Sequence, residues 1–130
     1  MISTAAEFCR LRESENPEEY LRAANEEAPI EVWREVVASR PDMRSWVAHN
    51  KTVPVEILEE LSSDLDVDVR CVIARKRKIS EAIALRLAKD PDENVRAALV
   101  FNQKLPASAL TVLRSDTSEF VQKTIREKRG

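Results

Sequence analysis

Sliding the chain against itself by 26 residues superposes Asp64 on Asp90 and Asp116, and Val69-Arg70 on Val95-Arg96. Met43-Arg44 precedes Val69-Arg70 by the same interval, and Pro54 follows Pro29 by 25, so one residue is lost in an earlier turn. A period of this length restricts the chain to an array of one supersecondary unit that cannot bury its apolar face alone and must stack on copies of itself. The stretch Asp90 to Asp116, DPDENVRAALVFNQKLPASALTVLRSD, shows what that unit is. Asp90 suits an N-cap, Pro91 the first helical position and Glu93 the third position of a capping box, which places a helix start at Asp90. Val95, Ala98 and Leu99 recur at helical spacing as far as Asn102. Pro106 then restarts a helix whose apolar stripe, Leu110 and Leu113, ends near Arg114. The unit is a helical hairpin.

Aligned copies share apolar columns. Along the second helix of each hairpin Phe8, Trp33, Leu58, Ala84 and Leu110 occupy one position, and Leu11, Val36, Leu61, Leu87 and Leu113 the position three residues on. Along the first helix the columns are Leu21, Trp46, Val72, Ala98 and Thr124, then Arg22, Val47, Ile73, Leu99 and Ile125. Arg22 and Thr124 are read as terminal repeats turning a more polar face outward. Helices are predicted at 3–13, 17–25, 29–38, 41–49, 54–63, 67–75, 80–89, 91–101, 106–114 and 118–128. The predicted fold is all-α: a right-handed α-solenoid of about five stacked hairpins in one domain. Residues 1–16 form an N-terminal cap helix, 17–116 the repeats and 117–130 a C-terminal cap helix. Glycine occurs once, at Gly130, so Asn25, Asn50 and Asn102 are expected as left-handed caps between the helices of a unit, with Lys76 in that place in one copy.

Composition excludes several classes. Six aromatic residues and one glycine disfavour an all-β chain. No apolar run approaches a transmembrane helix, and the opening MISTAAEFCRLRESE lacks a basic flank and an apolar signal core, so a cytoplasmic protein without membrane contact is expected. Cys9 and Cys71 form neither a disulfide framework nor a metal-site spacing and are read as idle thiols. His49, the single histidine, has no nucleophile that the repeat sets beside it, and no carboxylate pair, metal cluster or phosphate-cradling loop stands out. The expectation is a non-enzyme with no cofactor and no metal. Trp33 shares its column with Phe8, Leu58 and Leu110, and Trp46 with Leu21 and Val72, so both are expected in the core rather than as base-stacking platforms.

The pattern D-P-D-x-x-V-R, a small or apolar pair, then N-x-x-x-P-x-x-x-L-x-x-L, best over residues 41–126, resembles the leucine-rich repeat variant family and the wider HEAT-like group of helical repeats. The copy from Leu65 departs from it, with Arg75 and Lys76 at the Asn position and Ser80 where proline stands elsewhere. The resemblance implies a superhelix of helix pairs, one helix per unit sometimes short or 3₁₀, and a role in protein interaction. An N-terminal iron–sulfur cluster known in that family is not carried over, because Cys9 is the only cysteine near the start of this chain. HEAT-like DNA glycosylases set a precedent for nucleic-acid binding.

Charge supplies the localised signal. Residues 1–65 hold 7 basic and 14 acidic side chains, a net of −7, whereas residues 66–130 hold 14 basic and 9 acidic, a net of +5. The basic share peaks at Arg75, Lys76, Arg77 and Lys78, a run that fits an acidic protein surface or a phosphate backbone. Exposed second-helix positions are expected to run from acidic, Glu31, Glu35, Glu56 and Glu60, to basic, Arg86 and Lys89, as a partner-binding ridge. Arg44, Arg70 and Arg96 recur at 26-residue spacing. They suit either phosphate contacts or a structural ladder, with Asp64 and Asp90 six residues before Arg70 and Arg96, and the ladder is preferred. The partner expected is an unknown protein, with nucleic acid as the alternative through the basic half, and the chain is expected to be a monomer able to self-associate weakly.

Overall fold

Short polar side chains open most of the helices. In the computed structural model, which describes residues 1–130, the Thr4 hydroxyl accepts from the Glu7 N–H, Asn16 from Glu18, Asp66 from Asp68, Ser80 from Ile83, Asp92 from Asn94 and Ser118 from Val121. The helices are α1 (Ala5–Glu13), α2 (Pro17–Asn25), α3 (Ile30–Ser39), α4 (Arg44–His49, entered through a 3₁₀ turn at Pro41–Met43), α5 (Val55–Leu61), α6 (Val67–Ala74), α7 (Glu81–Leu87), α8 (Glu93–Val100), α9 (Ala107–Arg114) and α10 (Glu119–Arg129). There is no strand, and no helix is long and apolar enough to cross a membrane. The chain is all-α. The loop after α6, where proline gives way to Ser80, opens α7 with a hydroxyl cap instead of a rigid ring.

Contacts group the helices into two compact units, Met1–Leu58 and Glu59–Gly130, the division falling within α5. In the first, α1 packs on α2 and α3, and α4 on α2 and α3. Phe8, Leu11, Trp33, Val36 and Val47 are fully buried there, Phe8 meeting Trp33 edge-to-face at 5.2 Å. In the second, α6 packs on α8, α8 on α10 and α7 on α9, so helices of the same rank in successive copies touch. Their apolar columns, Leu61-Leu87-Leu113 and Ile73-Leu99-Ile125, are buried throughout.

In Glu59–Gly130 the N-terminal ends of the stacked helices are tied by arginine. Arg70 donates from Nη1 to the Asp64 carbonyl (2.7 Å) and from Nε and Nη2 to both carboxylate oxygens of Asp90 (2.9 and 3.3 Å). Arg96 repeats the arrangement with the Asp90 carbonyl (2.7 Å) and the Asp116 carboxylate (2.7 and 3.4 Å). Gln122, 26 residues after Arg96, donates to the Asp116 carbonyl at 2.8 Å in the same way without a charge. Each Asp also turns the chain: Asp64, Asp90 and Asp116 accept from the N–H two residues on. The helix start predicted at Asp90 is therefore displaced. Asp90 is drawn inward to Arg70, and Asp92 caps α8.

The C-terminal ends are tied by asparagine, though not as predicted. No residue other than glycine has positive φ, so none of Asn25, Asn50, Asn102 or Lys76 is a left-handed cap. Asn102 is buried, donating Nδ2 to the carbonyls of Ala74 and Lys76 (both 2.9 Å) while Oδ1 accepts from the Lys104 N–H. Asn50 does the same in Met1–Leu58, reaching the Ala23 and Glu26 carbonyls at 2.8 and 3.0 Å. Helix ends leave carbonyls without intrahelical partners, and a side-chain amide from the next copy satisfies two at once, a use that needs no unusual backbone. Asn25 instead stays exposed at the end of α2, bonded to its own turn.

Trp33 is in the core as expected, but Trp46 is not: its ring is 37% exposed, with the Arg12 guanidinium stacked on it. The column it shares is outward-facing at Leu21 (53% exposed) and closes only at Ala98 and Thr124. Thr124 is buried rather than turned outward, its hydroxyl donating to the Phe120 carbonyl inside α10.

Candidate partner-binding surfaces

Because α6, α8 and α10 are tied at both ends in the same sense, their C-termini share one edge of Glu59–Gly130. There Arg129 donates to the Val100 and Asn102 carbonyls, each 26 residues on from the two that Asn102 itself holds. Arg75, at the end of α6, lies 4.7 Å over the Phe101 ring at the end of α8, and Lys128 of α10 lies 5.2 Å from the same ring. Arg77 donates to Gln103, its counterpart one repeat on. Arg75, Arg77, Lys78, Lys104 and Lys128 are exposed, and Phe101 is 39% exposed among them. Cations at helix C-termini complement the dipole of each helix, so positive charge can gather at this edge without destabilising it. Carboxylates gather at the other ends of these helices, where Asp66 and Asp92 cap α6 and α8 and Glu119 opens α10.

The structure therefore places the predicted run Arg75–Lys78 on a wider basic edge. Arg86 and Lys89 are not part of it: Arg86 donates to the Ser62 hydroxyl, and both line a shallow cavity of about 300 Å³ with Asp64, Arg70 and Asp90 at the aspartate end of the helices. In Met1–Leu58, Glu31 and Glu35 are exposed on α3 and Glu56 on α5; Glu60, in the other unit, is also exposed. Phe101, Lys104 and Lys128 were missed by the sequence reading. The register held the signal for one of them, since Lys104 lies 26 residues after Lys78, but a contact between residues on three different helix ends leaves no local pattern.

No family model matches the chain, and neither curated proteins nor solved structures give a significant match.

Chemistry elsewhere is sparse. Burial pushes both thiols up from the ordinary cysteine range, Cys9 inside Met1–Leu58 and Cys71 on α6, which disfavours the reactive thiolate. No group of three or more His, Cys, Asp or Glu is arranged to hold a metal ion. A cavity of about 730 Å³ beside Cys9 holds the ion pairs Arg10–Glu19 at 2.7 Å and Arg40–Glu13 at 3.5 Å, with Glu35 also on its wall. Arg70 and Arg96, the other reading of which was a row of phosphate contacts, spend their guanidinium groups on aspartates and carbonyls.

Proposed function

We propose that the chain is a right-handed α-solenoid of leucine-rich-repeat-variant or HEAT-like character, and that it is a non-enzymatic, cytoplasmic scaffold that docks an acidic segment of a protein partner. The observation that supports this reading best is the placing of Arg75 and Lys128 over the exposed Phe101, with Arg77, Lys78 and Lys104 exposed in the turns that follow α6 and α8, at an edge whose helix ends are already satisfied. The stacking of α6, α8 and α10 supports the solenoid in the same way, since further copies add to such a stack without changing it. An edge of this kind attracts carboxylates over a Debye length and gives an aromatic contact once they arrive.

Nucleic acid is the second reading, favoured by the one aromatic ring set between two cations, an arrangement on which a base can stack. Against it stand the loss of Arg70 and Arg96 to the ladder and the net −4 of Met1–Leu58, which holds 7 basic and 11 acidic side chains.

A labelled oligoglutamate peptide and labelled single-stranded DNA and RNA, titrated at low and at high salt, separate the two. Peptide binding that falls about tenfold or more between low and physiological salt, and that disappears in the Arg77→Glu/Lys78→Glu/Lys104→Glu variant, upholds the protein reading. Tighter binding of DNA or RNA than of peptide transfers the edge to nucleic acid. Binding of neither overturns the assignment of the edge.

A further inference from the structure

We infer that the cavity formed by α1, α2 and α4 in Met1–Leu58 is a binding site for a small apolar carboxylate, a function separate from the basic edge. The cavity measures about 470 Å³ and is lined by Arg12, Tyr20, Leu21, Trp46 and His49, with Ala23 and Ala24 between them. That volume lies within the ordinary range for small-molecule sites. Its walls are apolar and partly open: Tyr20 is 40%, Leu21 53% and Trp46 37% exposed, although large apolar side chains in a packed helical unit are usually covered.

Arg12 supplies the polar group. Arg10, Arg22 and Arg40 of the same unit each pair with a carboxylate. Arg12 instead lies flat on Trp46, its guanidinium carbon 3.4 Å from the ring centroid, and its Nε is buried with no hydrogen-bond partner. No residue lining the cavity carries a carboxylate. A buried N–H of a charged group left without an acceptor is costly, so the Arg12 guanidinium gains from any acceptor that reaches its accessible nitrogens. Stacking on Trp46 restrains the guanidinium, whose two terminal nitrogens suit an in-plane, two-pronged acceptor, the geometry of a carboxylate. His49, its ring 5.3 Å from Trp46, closes the same wall. The body of the ligand then rests on Leu21, Tyr20 and Ala24, which explains why these remain uncovered.

The chain has two tryptophans, and Trp33 is fully buried, so the indole N–H resonance of Trp46 reports this site separately. The probes are N-acetylphenylalanine, its carboxamide and 3-phenylpropionate, titrated against the isotope-labelled protein. Saturable shifts of the Trp46 resonance by the two acids, at least about tenfold weaker with the carboxamide, are expected. Arg12→Gln should abolish them, and Arg12→Lys, which keeps the charge but loses the fork, should weaken them several-fold. Stronger binding of N-acetylphenylalanine than of 3-phenylpropionate assigns the carboxylate to a peptide end, and the reverse assigns it to a free organic acid; both uphold the site. Equal shifts by acid and carboxamide, no shift at tens of millimolar, or unchanged binding in folded Arg12→Gln overturns it. If circular dichroism shows that Arg12→Gln does not fold, the acid–carboxamide comparison on the unaltered chain decides.

Discussion

Met1–Leu58 and Glu59–Gly130 differ in how deeply they set their ion pairs. In the second unit the pairs Arg70–Asp90 and Arg96–Asp116 join residues 20 apart and are nearly buried, with side-chain exposures of 13% and 6%, and 18% and 7%. Both are built from the same atoms, and each links one helix to the turn of the next copy. Pairs of the first unit are wetter, whether local, as in Arg22–Glu26 within one turn of α2 and Arg40–Asp42 two residues apart, or between helices, as in Arg10–Glu19 at 59% and 31% exposure and Arg40–Glu13 at 37% and 58%. A repeated geometry can afford a buried charge because each copy delivers its partner in the right place; a diverged copy leaves its charges to find neighbours at the surface. Buried pairs are unforgiving of single deletions, and exposed pairs contribute little.

The sharpest break of that comparison is Asp90→Ala. It leaves Arg70 buried without its carboxylate and removes the acceptor for the Asp92 N–H that starts α8. A loss of about 3–5 kcal/mol in urea unfolding is expected. Asp116→Ala should behave alike, and Arg70→Met/Asp90→Leu should recover much of the loss, since replacing both charges removes the desolvation penalty together with the attraction. Glu19→Ala in the first unit should move the midpoint far less. Equal effects in the two units would erase the distinction.

What could be read beforehand follows the same divide. The 26-residue register carried the helix count, the buried columns and the pairing of Arg70 and Arg96 with aspartate, because each rests on a property repeated copy by copy. It failed where a residue departs from its column for a partner outside it. Trp46 was placed in the core by analogy with Leu21 and Val72, yet Leu21 is itself exposed and Arg12, 34 residues before Trp46 and in no shared column, stacks on the indole at the surface. Asn50 and Asn102 were recognised as special at the right positions and given the wrong chemistry. Scarcity of glycine suggested a backbone role, whereas the side-chain amides serve carbonyls of the preceding helix, which a local reading of caps does not consider. The basic run was legible and its extension to Lys128 was not, since that needs the three helix ends set side by side.

Asparagine gives the second test, because here the two units are alike. Asn50→Ala and Asn102→Ala each strip one buried and one partly buried carbonyl of their donor and free one N–H. Each is expected to cost about 2 kcal/mol, with the effects on the two units similar in size. Asn102→Gly sharpens the point. A left-handed cap would tolerate glycine or gain from it, while a bridging amide is lost as fully in glycine as in alanine. Chemical denaturation of the three variants therefore decides between a backbone and a side-chain role.

The smallest effect belongs to the exposed charges of the first unit and shows only in acid. Glu26 is held down to about 2, first by its hydrogen bond from Arg22 and next by the amino group of Met1, 2.9 Å away. An ordinary glutamate titrates near 4.5. A carboxylate with a folded pKa below its unfolded one stabilises the fold fully above the unfolded value, and that contribution is lost as pH falls from about 4.5 toward about 2. Because the group is exposed, solvent screening keeps the gain small at physiological salt. Carbon-13 titration of the Glu26 carboxyl should give a midpoint near 2, and amide exchange at the end of α2 should quicken over the same window. Glu26→Gln should abolish the acid dependence at that helix end while leaving exchange in α6, α8 and α10 unchanged.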